Sequence, residues 1–75
     1  MQSVHTPAYR EFLLRLIKAR QTAGLTQADV AKALRIPQSR VSRMESGERR
    51  IDVIELEAFA KLYRKALSYF VPRGR

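Results

Sequence analysis

Seventy-five residues without a cysteine lie near the lower size at which one apolar core holds a chain without disulfides or metal. The expected organisation is therefore one domain over residues 1–75, with its core between residues 9 and 71. Fifteen Lys and Arg against seven Asp and Glu leave a net charge of +8, spread along the chain rather than gathered in a tail, which suits a polyanionic partner such as nucleic acid or an acidic membrane surface.

With 45% hydrophobic residues, few glycines and prolines and no sustained period-two alternation, the chain should be all-α. The opening MQSVHTPAYR has no apolar run behind a positive flank, and no apolar stretch of about 18 residues follows, which argues against secretion and membrane spanning. A cytoplasmic protein is the default, and the lack of cysteine agrees with it.

The first helix is expected over residues 7–22, with Thr6 as N-cap and Pro7 at the first helical position, where a missing N–H costs nothing. Phe12, Leu13, Leu16 and Ile17 share one stripe, extended by Tyr9 and Arg20, and Gly24 supplies the stop. A second helix, residues 27–34, starts at Thr26 with Asp29 as its capping-box partner. Val30, Ala31 and Leu34 form its inner face, and Pro37 then disfavours helix at Ile36 while suiting the start of the next helix.

The third helix, residues 38–45, turns Val41 and Met44 inward together. At about 100° per residue, Gln38, Ser39, Ser42, Arg43 and Ser46 lie on the opposite side, where no large apolar residue stands. Gly47 ends it, at a position that often needs a left-handed backbone. The fourth helix, residues 52–63, pairs Asp52 as cap with Glu55 and carries Val53, Leu56, Phe59, Ala60, Leu62 and Tyr63 as its apolar set. A short fifth helix over residues 66–71 carries Leu67, Tyr69, Phe70 and Val71. The terminal VPRGR reads as a natural frayed end, with a cloning remnant as the other reading.

Catalysis has little to stand on. The chain has one histidine, His5, near a chain end where it reads as a surface residue, and no glycine-rich phosphate loop. Glu55 and Glu57 project about 200° apart rather than forming a carboxylate pair. No catalytic residue, cofactor or metal is expected.

The segment TQADVAKALRIPQSRVSRMESG, Thr26 to Gly47, is thus a capped helix, a tight turn and a second helix that is polar on one face. In order and spacing, Gly24-Leu25-Thr26-Gln27, Val30-Ala31, Pro37-Gln38-Ser39-Arg40-Val41-Ser42 and Met44-Glu45-Ser46-Gly47 resemble the phage-repressor and Cro type of helix-turn-helix, the Xre-like regulators. The resemblance covers about Phe12 to Phe70 and implies a five-helix, lambda-repressor-like DNA-binding domain.

It also implies roles for residues. Gln27 would bond a phosphate and brace the first residue of the recognition helix. The third helix would enter the major groove N-terminus first, with Gln38, Ser39 and Arg43 nearest the bases and Arg40 at the backbone. Side-chain chemistry agrees, since Gln suits adenine, Arg suits guanine and Ser suits several partners. Thr26, Ser42, Arg49 and Arg50 are further backbone candidates, with Lys32 more weakly supported. Arg20 and Glu45 match a buried or half-buried ion pair tying the first helix to the end of the third.

Two positions depart from the pattern. Arg35 stands where the turn usually has Gly, so it either accepts a left-handed backbone at roughly 1 kcal/mol or the second helix ends differently. Arg64 stands where relatives often place Gly or Asn.

The function implied is a sequence-specific regulator of transcription on double-stranded DNA, a repressor acting as a homodimer on two half-sites. Apolar Tyr63, Leu67, Tyr69, Phe70 and Val71 exceed what the fifth helix alone should bury, which assigns them to the dimer interface. Blocking polymerase is the simplest output, and touching polymerase to activate is open as well. The alternative is an antitoxin or adaptor of the same fold whose main partner is a protein. An RNA-binding domain is disfavoured, because the third helix has no aromatic for base stacking.

Overall fold

A computed structural model describes residues 6–72 of the chain. His5 and residues 73–75 lie outside the described residues. Five helices follow one another, α1 (Pro7–Thr22), α2 (Gln27–Leu34), α3 (Gln38–Ser46), α4 (Val53–Tyr63) and α5 (Leu67–Phe70), and the described residues contain no strand. None of these helices is long and apolar enough to cross a membrane.

Helix starts follow the capping chemistry. The Thr6 hydroxyl accepts from Tyr9 N at 3.0 Å with Pro7 behind it. Thr26 with Asp29, and Asp52 with Glu55, form complete capping boxes in which each side chain serves the other residue's backbone N–H. Asp52 is itself the cap, so α4 begins one residue later than residues 52–63 imply, while α3 runs one residue further, to Ser46.

The ends of the first four helices share one device. Gly24, Arg35, Gly47 and Arg64 all take positive φ. After α2, Ile36 N donates to Ala31 O and Arg35 N to Lys32 O; after α4, Lys65 N donates to Ala60 O and Arg64 N to Lys61 O. These nested bonds satisfy carbonyls that a helix end leaves orphaned. Arg35, at φ 60°, and Arg64, at φ 61°, therefore hold a conformation that glycine adopts freely.

The core is built where the inner stripes meet. Leu16 and Ala19 of α1, Val30 and Ala31 of α2, Val41 and Met44 of α3, Phe59, Ala60 and Tyr63 of α4 and Phe70 of α5 form one buried cluster. Leu34 at the end of α2, and Leu25, Ile36 and Ile51 from the connecting segments, seal it. α2 packs on α3, α3 on α1, and α5 on both α1 and α4.

Three expectations change here. Val53 belongs to the apolar set of α4 by sequence, yet it stands exposed with its neighbour Ile54, because the first turn of α4 precedes the part that reaches the core. The fifth helix is a single turn: Val71 is already extended and Pro72 follows it. Tyr63 and Phe70, expected at a subunit interface, are 4% and 0% exposed. The domain's own core uses them, since so small a chain needs the short fifth helix to close the bundle. Burial pushes the ionisation of the Tyr63 hydroxyl upward, and that hydroxyl has no hydrogen-bond partner among the described residues.

Candidate nucleic-acid interface

Two faces of α3 divide cleanly. Val41 and Met44 are 0% and 1% exposed, whereas Gln38, Ser39, Arg40, Ser42, Arg43 and Ser46 are all exposed. A nine-residue helix is held to the bundle by one side and offers amides, hydroxyls and guanidinium groups on the other. Pro37 opens it with extended backbone and no side-chain cap, so its first N–H groups are not taken by a capping side chain.

Arg43 carries only a loose ion pair, with Nε 3.7 Å from Glu48 Oε1 and both side chains well exposed. It is free to reach outward. Arg40 stands at the rim of a small apolar hollow of about 130 Å³ between Leu34, Ile36, Met44 and Phe59, on the α4 side of α3.

The loop after α3 is more tied than its sequence suggests. Arg49 Nη1 lies 2.9 Å from Glu55 Oε2, and Arg49 N donates to Arg43 O at 3.1 Å. Arg50 stacks its guanidinium 4.3 Å over the Tyr9 ring, while the Tyr9 hydroxyl accepts from Ile51 N at 3.1 Å. Arg50 thus remains exposed but has a fixed seat, and Arg49 is half-committed to α4.

At the start of α2, Thr26 is exposed and its hydroxyl oxygen accepts from Asp29 N at 3.0 Å. Asp29 returns the bond by accepting from Thr26 N at 2.9 Å. That N–H first, and the Thr26 hydroxyl second, hold its carboxyl below the usual carboxylate range. Lys32 is exposed one turn further along α2.

Beneath this surface lies the ion pair. Arg20 Nε donates to Glu45 Oε2 at 2.7 Å and Nη2 to Glu45 Oε1 at 3.1 Å, a two-pronged contact between side chains only 13% and 4% exposed. Arg20 Nη1 donates to Leu25 O at 2.9 Å, so the pair clamps α1, the α1–α2 turn and α3 together. Bonding to Glu45, against the opposing cost of burial, raises the pKa of Arg20.

Gln27 makes a contact that its expected role as a brace for Gln38 does not include. Its Nε2 donates to Glu45 Oε1 at 2.9 Å, a bond across 18 residues that no spacing rule announces. Tyr9 with Arg50 and Arg49 with Glu55 were equally hidden in sequence.

Of the five residues assigned to a dimer contact, Leu67 and Val71 are 41% and 57% exposed. Tyr69 is half-buried under Lys65 Nζ, 4.7 Å from its ring centre, and its carbonyl accepts from Arg15 Nη1 at 2.9 Å. Leu14 of α1, exposed, lines a shallow depression together with Tyr69.

Comparison with known proteins places this arrangement. A helix-turn-helix family model matches residues 16–70. Among solved structures, an XRE-family like protein from Pseudomonas syringae pv. tomato str. DC3000 is 39% identical, with a TM-score of 0.79 over 89% of this chain and 84% of that one. No curated protein matches.

Proposed function

The chain belongs to the XRE-type family of helix-turn-helix DNA-binding regulators, and from that premise we propose that it is a sequence-specific repressor. It acts in the cytoplasm as a homodimer on an operator of two half-sites. The observation that carries this reading is the split face of α3: buried Val41 and Met44 beneath exposed Gln38, Ser39 and Arg43.

In this reading α3 lies in the major groove with Gln38, Ser39 and Arg43 at base edges, where a good bidentate pair discriminates by about 1–3 kcal/mol. Thr26, Gln27, Arg40, Ser42 and Arg50 hold phosphates, with Arg49 contributing if it leaves Glu55. The positive charge of the chain supplies salt-sensitive affinity. Exposed Leu67 and Val71, with Tyr69 beside them, form the subunit contact, which sets half-site spacing near one helical turn, roughly 34 Å. Occupying the operator then excludes polymerase.

The test is a titration of labelled duplex recovered by the protein from a random-sequence pool, run beside a scrambled duplex at several salt concentrations. Steep loss of affinity with salt and a marked preference for the recovered duplex are expected; equal binding to both would reject sequence-specific regulation. A second reading, an antitoxin or adaptor bound mainly to another protein, draws on exposed Val53 and Ile54, an apolar pair remote from the proposed dimer contact in sequence. Under that reading a toxin or polymerase partner would copurify, and its loss on Ile54→Glu would separate the two readings.

A further inference from the structure

The Arg20–Glu45 clamp has a third member that the ion pair does not need. Glu45 Oε1 receives both Arg20 Nη2 and Gln27 Nε2, while Oε2 receives Arg20 Nε, so Arg20 alone engages both carboxylate oxygens. The dependence runs the other way. A primary amide turned over exchanges its donor and acceptor with little change of shape, and a phosphate, which offers only acceptors, can use the NH2 side alone. An ionised carboxylate is also acceptor-only, so it permits one orientation of the Gln27 amide, with one N–H on Glu45 and the second left over. Arg20 neutralises the carboxylate, which removes the repulsion that a lone buried anion would exert on an arriving phosphate.

We propose that Glu45 is a positioning residue for DNA binding: through the Gln27 Nε2 to Glu45 Oε1 bond it fixes the first side chain of α2 with a donor available for phosphate. This rests on the reading that Gln27 meets the DNA backbone. Glu45 itself is buried and touches no DNA in this scheme. Its effect is transmitted by one hydrogen bond, and that makes it separable from its role in holding the fold.

The experiment is a double-mutant cycle on duplex affinity with Gln27→Ala, Glu45→Gln and the double variant, using the duplex recovered from the random pool by the unaltered protein. In Glu45→Gln the introduced amide gives its oxygen to Arg20 Nε, which makes the shorter of the two Arg20 bonds, 2.7 Å against 3.1 Å, and its NH2 then takes the Oε1 position and favours the wrong orientation of Gln27. Glu45→Gln alone is expected to weaken binding about fivefold, the size of one hydrogen bond, and to change affinity by less than about twofold in the Gln27→Ala background.

The same fold-loss in both backgrounds would overturn the proposal, because a merely structural Glu45 lowers affinity whatever stands at position 27. Failure of the unaltered protein to bind any duplex would reject the regulator reading itself, a different result. If Glu45→Gln does not fold, proton exchange at the side-chain amides of the unaltered protein decides: Gln27 should exchange more slowly than exposed Gln21, and equal exchange would overturn the proposal.

Discussion

Arg43 leaves α3 on its solvent side with only the 3.7 Å contact to Glu48 to give up, so little is lost when it turns to a base. Arg43→Ala is expected to relax preference at one base position by about 1–3 kcal/mol, read by selecting duplexes with both proteins, whereas Gln27→Ala should weaken all duplexes alike. Unchanged preference in Arg43→Ala would mean that the docking register is wrong. Arg20→Ala strands the Glu45 carboxylate in the interior and is expected to cost about 3–5 kcal/mol, seen as a lower Tm in a thermal melt. A Tm within error of the unaltered protein would contradict the clamp. Pairing of Arg20 with Glu45 was legible only through family resemblance, since 25 residues separate them. The bonds from Gln27 to Glu45 and from Ile51 to Tyr9 were not legible at all, because they depend on how whole helices pack.

Helix boundaries were readable because they rest on short-range chemistry. Thr6, Thr26 and Asp52 cap with partners three residues away, and the first four helices are followed by a residue that tolerates, or is forced into, left-handed backbone. What sequence left open was which alternative Arg35 would take, and the nested bonds after α2 answer it. Arg64 shares that geometry away from α3, so Arg64→Gly should raise stability by about 0.5–1 kcal/mol in chemical denaturation without altering duplex preference; a fall in stability would show that the arginine side chain earns its place. The α2 capping box gives a pH signature. Because the folded carboxyl of Asp29 lies below its unfolded value, its stabilisation is complete above the ordinary carboxylate range and is lost as pH falls through the lowered value. Tm followed into acid should drop through that window in the unaltered protein, and Asp29→Asn should remove that part of the drop. Parallel curves would refute it. The fifth helix is shorter than residues 66–71 because Ala66 and Val71 are both extended and Pro72 follows, boundaries that the apolar residues alone do not mark.

The assembled protein joins a bundle of five helices among the described residues to a net charge of +8, and both properties bear on how it meets DNA. Compactness comes from Phe59, Tyr63 and Phe70 filling the centre, which leaves Leu67 and Val71 exposed after α4, and Leu14 of α1 exposed beside Tyr69. Counting apolar residues at the C-terminal end found this region but could not sort the inward from the outward. Leu67→Glu is expected to yield monomers by sedimentation and to weaken operator binding while preserving Tm; dimers that persist would move the interface elsewhere. The most direct measurement is an NMR titration of the isotope-labelled protein with the recovered duplex. The largest shift changes are predicted at Gln38, Ser39 and Arg43 and at the Gln27 side-chain amide, with Leu67 and Val71 little altered from the free protein. Silence along α3, with changes gathered on α5 or at Val53 and Ile54, would contradict the proposed mode of DNA reading.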